Sequence, residues 1–248
     1  MSLYRGNSLT ANDILELGNT HVVIATGARW TRLLYSPLEV PAGELAGAPE
    51  SGAGIFTPDD IAAGAQLDEP IVVFDYDSYY MGSALAEHLA RGGERVSYVT
   101  PAGHASTWAI MSNEQPQVHR ALAGAGISLH THARVTGLAG GEVTLANLFT
   151  GAEARLPCAA LVIVGARLAN DQLYTELAAR PQHLEAAGIR SLTRIGDALA
   201  PGALVHAVYS GHRYARELDG DHAARSWRRD APLSRSAESS VRERGIDP

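Results

Sequence analysis

Between Pro70 and Thr100 the chain reads PIVVFDYDSYYMGSALAEHLARGGERVSYVT, and no other stretch limits the fold as much. Ile71 to Phe74 is a short apolar run rich in β-branched residues, which suits a buried strand. From Met81 the period turns helical. Met81, Leu85 and Leu89, with the small residues Gly82, Ala84, Ala86 and Ala90, make one inward stripe, and Glu87, His88 and Arg91 face outward. Gly92-Gly93 stops the helix, and Arg95 to Val99 gives a second strand. Strand, tight turn, helix and strand form a βαβ unit, in outline half of a dinucleotide-binding domain.

The chemistry of the turn argues against a nucleotide there. A phosphate turn reads G-x-G-x-x-G because backbone must approach a pyrophosphate at a helix N-terminus. With Gly82 as the third glycine, the first two positions hold Asp77 and Tyr79. A carboxylate repels phosphate, and a tyrosine ring fills its space. Only the glycine for close helix–strand packing survives. The stretch reads as a nucleotide-binding fold that has lost its nucleotide, or equally as an unrelated βαβ packing unit. An independent NAD(P)-dependent enzyme is disfavoured by the same two residues.

Composition narrows the function classes. The 248 residues can hold one large domain or two small ones, and 46% hydrophobic with 19% charged residues is ordinary for a globular chain. A formal net charge of −7 argues against a nucleic-acid partner. The single cysteine, Cys158, cannot form an internal disulfide, which suits a reducing, cytoplasmic setting, and cannot hold a cluster that takes four thiolates. No apolar run is long enough to cross a bilayer, and MSLYRGNSLT has no signal-peptide core.

Along the chain, SLTANDILELG predicts a short helix with a Thr10/Asp13 capping box and Gly18 at its end. In HVVIATGARW, Val22 to Ala25 is a buried strand, and Thr26-Gly27 turns sharply after it. Residues 31–69 read as a crossover, with one helix in IFTPDDIAAG capped by Thr57 and begun by Pro58. AGHASTWAIMSNEQ is irregular, and EQPQVHRALAGAG is helical through Val118 and Leu122. The stretch ISLHTHARVTGLAGGEVTLANLFTGAEARLPC alternates apolar and polar residues around turns at Gly140-Gly141 and Thr150-Gly151, which predicts an antiparallel meander. Leu161 to Val164 is another buried strand, ending in Val164-Gly165-Ala166. DQLYTELAAR is helical, and a polar linker leads to a strand at Ser191 to Ile195. Gly196-Asp197 turns after it, and Ala203 to Leu218 is a long helix with a stripe through Val205, Val208 and Tyr209. From Asp219 the tail is polar and lacks apolar runs.

HVVIATGARW, FDYDSYYMGSALAEHLA and RIGDALAPGALVHAVYSGHRYARELDG together resemble the C-terminal part of the trimethylamine, dimethylamine and histamine dehydrogenase family, over roughly residues 4–220. The resemblance implies an α/β, Rossmann-like architecture with two dinucleotide-binding domains, incomplete at the N-terminus. Residues 1–66 and 167–220 would make a partial FAD/ADP-binding-like domain, 67–166 an inserted NAD(P)-binding-like domain, and 221–248 a polar tail. Family enzymes carry an FMN-binding barrel that oxidises the amine and a [4Fe–4S] cluster that passes electrons to an electron-transfer flavoprotein. By resemblance Thr26, Gly27, Gly196 and Asp197 map onto the rim of a site for ADP or FAD, although the glycine turn for its pyrophosphate would belong to a segment missing here. No residue of this chain maps onto a catalytic position. The expected partners are the barrel and cluster portion, other copies of the chain in a homo-oligomer, and the electron-transfer flavoprotein. The contrasting reading is a stand-alone docking protein that kept the fold without the chemistry.

Single residues carry less. His130 and His132 are two apart on an expected strand and would share a face able to bind a metal, but no third ligand is evident and a solvated face is the commoner explanation. Tyr79 and Tyr80 fit the space vacated by a nucleotide, with an aromatic relay or a docking spot as alternatives. His212-Arg213 could meet a phosphate, though a wetted helix face is commoner, and Trp108 with Asn113-Glu114 is a candidate partner contact. Cys158 reads as an inert buried thiol.

Overall fold

A computed structural model of the chain describes residues 3–32 and 54–218. Much of the expected crossover and the whole polar tail lie outside the described residues. Residues up to Pro201 form one compact unit, and those from Gly202 belong to a second.

Local chemistry sets the first elements. Helix α1, Ala11–Glu16, starts at Thr10, whose Oγ1 accepts from the Asp13 N–H at 3.3 Å while the Asp13 carboxylate accepts from the Thr10 N–H at 2.7 Å. Gly18 follows at φ +64°, as the sequence predicts. Strand β1, His21–Ile24, leads into β2, Ala28–Trp30. Beyond the undescribed stretch, β3, Ile55–Phe56, precedes α2, Pro58–Ala62, which repeats the device with Thr57 and Asp60. Thr57 is buried, so Thr57→Ala is expected to cost about 1 kcal/mol, read as a lower urea midpoint at unchanged slope.

The centre is a five-stranded parallel sheet. Strand β4, Ile71–Asp75, is followed by α3, Tyr80–Gly92, and β5, Val96–Val99. A 3₁₀ turn at Thr107–Ile110 leads to α4, Gln115–Gly124, and to β6, Ser128–His130. Next come β7, Ala133–Ala139, β8, Glu142–Asn147, and β9, Glu153–Pro157, and the chain re-enters the sheet at β10, Ala160–Val164. The spatial order is β3-β10-β4-β5-β6. Both faces are covered, which is why β4 and β10 are continuous apolar runs. Val72, Phe74, Leu161 and Ile163 pack under the meander residues Val135, Val143 and Leu145. Ile71, Val73, Val162 and Val164 pack under Ala86 and Leu89 of α3 and Leu122 of α4.

The chain leaves the sheet through β11, Arg167–Ala169, which pairs antiparallel with β2. Helices α5, Gln172–Ala178, and α6, Pro181–Ala186, then lead to β12, Ser191–Arg194, which pairs in parallel with β1. Ile14, Val22, Ile24, Leu177 and Ile189 form a separate core there. In the second unit, α7, Leu204–Glu217, buries none of its residues, and the expected stripe of Val205, Val208 and Tyr209 is exposed.

Three local expectations are corrected. On α3 the inward stripe is Gly82, Ser83, Ala86 and Leu89, while Met81 and Ala84 are exposed. Ser83 can face inward because its hydroxyl bonds Ser106 Oγ at 2.7 Å and the Tyr80 carbonyl at 3.2 Å, which satisfies a group that hydrophobic patterning counts as polar. The meander comprises β7, β8 and β9 only; Ser128–His130 is a short parallel edge strand beside β5, too brief to show a period. The segment read as a polar linker contains α6, begun by Pro181 at its first turn.

Candidate nucleotide-binding rim

The parallel register of β1 and β12 runs from His21 opposite Ser191 to Ile24 opposite Arg194. Both strands therefore end together, and Thr26-Gly27 and Gly196-Asp197 leave them side by side. The Ile195 N–H donates to the Ile24 carbonyl at 3.0 Å and holds the two exits together. Gly27 sits at φ +75° and Gly196 at φ +59°, a left-handed backbone that side chains resist. A Cβ at Gly27 would point into open space, so its glycine answers to conformation, and backbone there is approachable.

Other residues brace this rim. The Thr26 hydroxyl donates to the Asn170 carbonyl, Asn170 Nδ2 returns a bond to the Thr26 carbonyl at 3.3 Å, and the Asn170 N–H donates to Gly27 at 2.9 Å. Asp197 pairs with Arg167 at 3.1 Å, with both side chains mostly shielded from solvent. The Arg167 guanidinium also lies 5.0 Å over the Trp30 ring. Arg194 pairs with Asp171 and covers the Tyr174 ring at 4.4 Å. Sequence reasoning missed Trp30, Arg167, Asn170 and the Arg194–Asp171 pair. The one signal for Arg167 is its place directly after Val164-Gly165-Ala166.

The eroded turn after β4 is built differently. Asp75 is fully buried, its Oδ1 accepts from the Ser78 N–H at 3.0 Å, and its Oδ2 accepts from the Tyr98 hydroxyl. Ser78 reaches that bond at φ +58°. Burial pushes the Asp75 carboxyl up to about 7, against the pull of its hydrogen bonds, and pushes the Tyr98 hydroxyl well above its ordinary value. Ser106 lies beside the Tyr98 oxygen and works against that rise, and its hydroxyl bonds Ser83 Oγ at 2.7 Å. Burial also raises Asp77, while the Arg167 charge opposes it. Tyr79 stacks on Trp108 with centroids 5.8 Å apart and planes 20° apart, and the Trp108 N–H donates to the Ser78 carbonyl at 3.1 Å. Side chains of the protein fill this turn.

The remaining candidates separate. His130 ends β6, while His132 lies beyond the strand at φ +51°, so the two do not share a strand face. His132 instead packs against Phe149. Among the described residues no group of three or more His, Cys, Asp or Glu could hold a metal ion. Cys158 is buried, with its thiol pushed up to about 11 by burial, and one thiol does not fit a four-cysteine cluster. On α7, Arg213 pairs with Glu217 at 2.8 Å. No helix among the described residues is long and apolar enough to cross a membrane.

Comparison with known proteins agrees with this arrangement. Residues 56–158 match the family model described as the OYE-like second alpha/beta domain. The chain is 31% identical to dimethylamine dehydrogenase of Hyphomicrobium sp. (strain x) over 233 residues, covering 85% of this chain and 31% of that enzyme. The structure of histamine dehydrogenase from Rhizobium sp. 4-9 superposes with a TM-score of 0.82 and 36% identity, over 92% of this chain and 33% of that one. The 6-hydroxypseudooxynicotine amine oxidase of Pseudomonas geniculata N1 follows, with a TM-score of 0.78 and 31% identity over 86% of this chain and 31% of that one. The chain thus spans about a third of the length of the relatives it matches. With the parallel sheet, the filled turn and the paired strand exits on the same chain, it resembles a part of the dimethylamine and histamine dehydrogenases about a third of their length.

Proposed function

We propose that this chain is the C-terminal, nucleotide-binding-like module of an amine-dehydrogenase-type flavin oxidoreductase, and that it holds an adenine nucleotide, ADP or the ADP half of FAD, at the β1/β12 rim. In this reading the fold is a two-dinucleotide-binding-domain architecture in which only one of the two sites is open. The observation that carries it is the juxtaposition of Thr26-Gly27 with Gly196-Asp197 at the carboxyl ends of adjacent parallel strands, where open α/β sheets bind ligands. The rim residues suit such a ligand. Asp197 offers a carboxylate to ribose or ribityl hydroxyls, and the two glycine turns let backbone approach. Arg167 offers a cation beside Asp197 and an aromatic neighbour in Trp30.

The amine-oxidising chemistry in this reading belongs to an FMN barrel and a [4Fe–4S] cluster outside these residues, and electrons would leave for an electron-transfer flavoprotein. This chain's contribution is binding and positioning in the oligomer, in a cytoplasmic enzyme. No residue here is assigned a bond-making role.

Calorimetric titration of the full chain tests the assignment. ADP and FAD are expected to bind, and Asp197→Ala is expected to weaken both about tenfold or more, the loss of a charge-assisted hydrogen bond. Asp77→Gly with Tyr79→Gly, at the filled turn, is expected to leave ADP affinity unchanged. Failure of ADP and FAD to bind, or affinity indifferent to Asp197→Ala, would remove the rim from consideration.

A further inference from the structure

We propose that His104 and His119, with the side-chain amide of Gln115, form a binding site for a divalent transition-metal ion of the zinc class, where α4 meets the loop after β5.

Two polar atoms on α4 are without a partner. His119 Nε2 and Gln115 Nε2 are both shut off from solvent and make no hydrogen bond. The two residues lie four apart on the helix, one turn above the other on a single face. Buried polar groups are ordinarily satisfied by protein, water or an ion, and an ion between these two would do it. The Gln115 amide can turn over, which puts its oxygen where the nitrogen stands and makes it a metal ligand.

A second imidazole stands against the first. The His104 and His119 ring centres are 5.7 Å apart, with planes at 72°. Two imidazoles sharing a tetrahedral ion at the usual nitrogen–zinc distance have centres about 5.3 Å apart. The rings therefore need rotation and little translation to share one ion. His104 is exposed and can turn without disturbing the core. Its backbone is fixed, since its carbonyl accepts from the Thr107 hydroxyl at 2.9 Å and Ala105 is fully buried in the same core as Leu122 of α4. The start of α4 is tied to the 3₁₀ turn by the Glu114 N–H, which donates to the Ala109 carbonyl at 3.0 Å. Two imidazole nitrogens and one amide oxygen leave a fourth position for water. Such a set selects zinc, copper or nickel over magnesium or calcium. With three protein ligands the ion binds reversibly and clips the loop to α4.

Calorimetric titration of the full chain with zinc chloride, in a buffer that does not chelate, reads the site against the chain's ten histidines. One equivalent is expected to bind more tightly than the rest. His104→Gln and His119→Gln are each expected to weaken that equivalent about tenfold or more. His88→Gln, at an exposed position on α3, is expected to leave it unchanged. Gln115→Glu replaces a neutral ligand by a charged carboxylate and is expected to tighten it. Absence of a tight equivalent, affinity that neither histidine substitution moves, or no tightening in Gln115→Glu would overturn the proposal and leave the two rings as a packing contact. If His119→Gln does not fold, unmoved affinity in His104→Gln overturns it alone, because that side chain is exposed.

Discussion

Gly82→Ala is expected to destabilise the unit by about 3 kcal/mol, the upper end for one added methyl in a packed interior. A Cβ at Gly82 would lie 2.5 Å from Asp75 Cγ, 2.7 Å from its Cβ and 2.8 Å from Oδ2. Those atoms cannot step aside, because Ser78 and Tyr98 hold the carboxyl and the side chain is enclosed on all sides. The clash instead separates α3 from β4, and Ala86 and Leu89 lose contact with Ile71 and Val73 farther along the interface. Urea unfolding followed by circular dichroism measures the loss. Asp75→Ala in the same chain opens the space the methyl needs, so the two substitutions are expected to be less damaging together than their sum. A cost below about 0.5 kcal/mol for Gly82→Ala would show that α3 is not held at this distance.

Gly82 also shows what could be read from the sequence. Its role in close helix–strand packing is local, set by spacing from the strand, and was legible there. So were the capping boxes at Thr10 and Thr57, since each is complete within four residues. The buried runs Ile71 to Phe74 and Leu161 to Val164 declared themselves because the body of a parallel strand covered on both faces is apolar throughout. What failed was whatever depends on partners far along the chain. Ser83 faces inward only because Ser106 waits there, and Met81 faces outward as the consequence. Ser128–His130 is a strand only because β5 offers an edge.

The rim divides the same way. The glycines at positions 27 and 196 could be picked out, since a turn with positive φ after a strand announces itself. Their adjacency depends on β1 pairing with β12 across about 170 residues, which the family resemblance implied and periodicity could not. Arg167 was invisible as a rim residue: it is thirty positions from Asp197, and only its place at the start of β11 brings the two together. The filled turn was legible in its occupants, Asp77 and Tyr79, but its deepest occupant is Asp75. That residue ends an apolar strand run and gave no sign of the Tyr98 hydroxyl on the neighbouring strand.

The second large effect is the pH dependence that Asp75 imposes on the whole unit. Unfolded, its carboxyl titrates near 3.8; folded, near 7. Below pH 4 both states hold the proton, and the residue adds no slope. Between those values the unfolded chain has released a proton that the folded one keeps, so stability falls as pH rises, by about 1.4 kcal/mol per unit. Above about pH 7 both states have lost it and the fall levels off, after a total on the order of 4 kcal/mol. Asp75→Asn keeps the shape, an acceptor for Ser78 and a polar contact for Tyr98, yet carries no charge. The variant is expected to match the parent within about 1 kcal/mol at pH 4 and to exceed it by a few kcal/mol at pH 8, in urea unfolding at both values. Other acids cancel in that difference because they are common to both chains. Parallel stability profiles would mean that the folded carboxyl titrates where the unfolded one does, with water reaching it in the native state. A buried acid of this kind lowers stability at neutral pH, so what Asp75 contributes at the end of an apolar strand is an acceptor for the Ser78 N–H and the Tyr98 hydroxyl, and not a gain to the core.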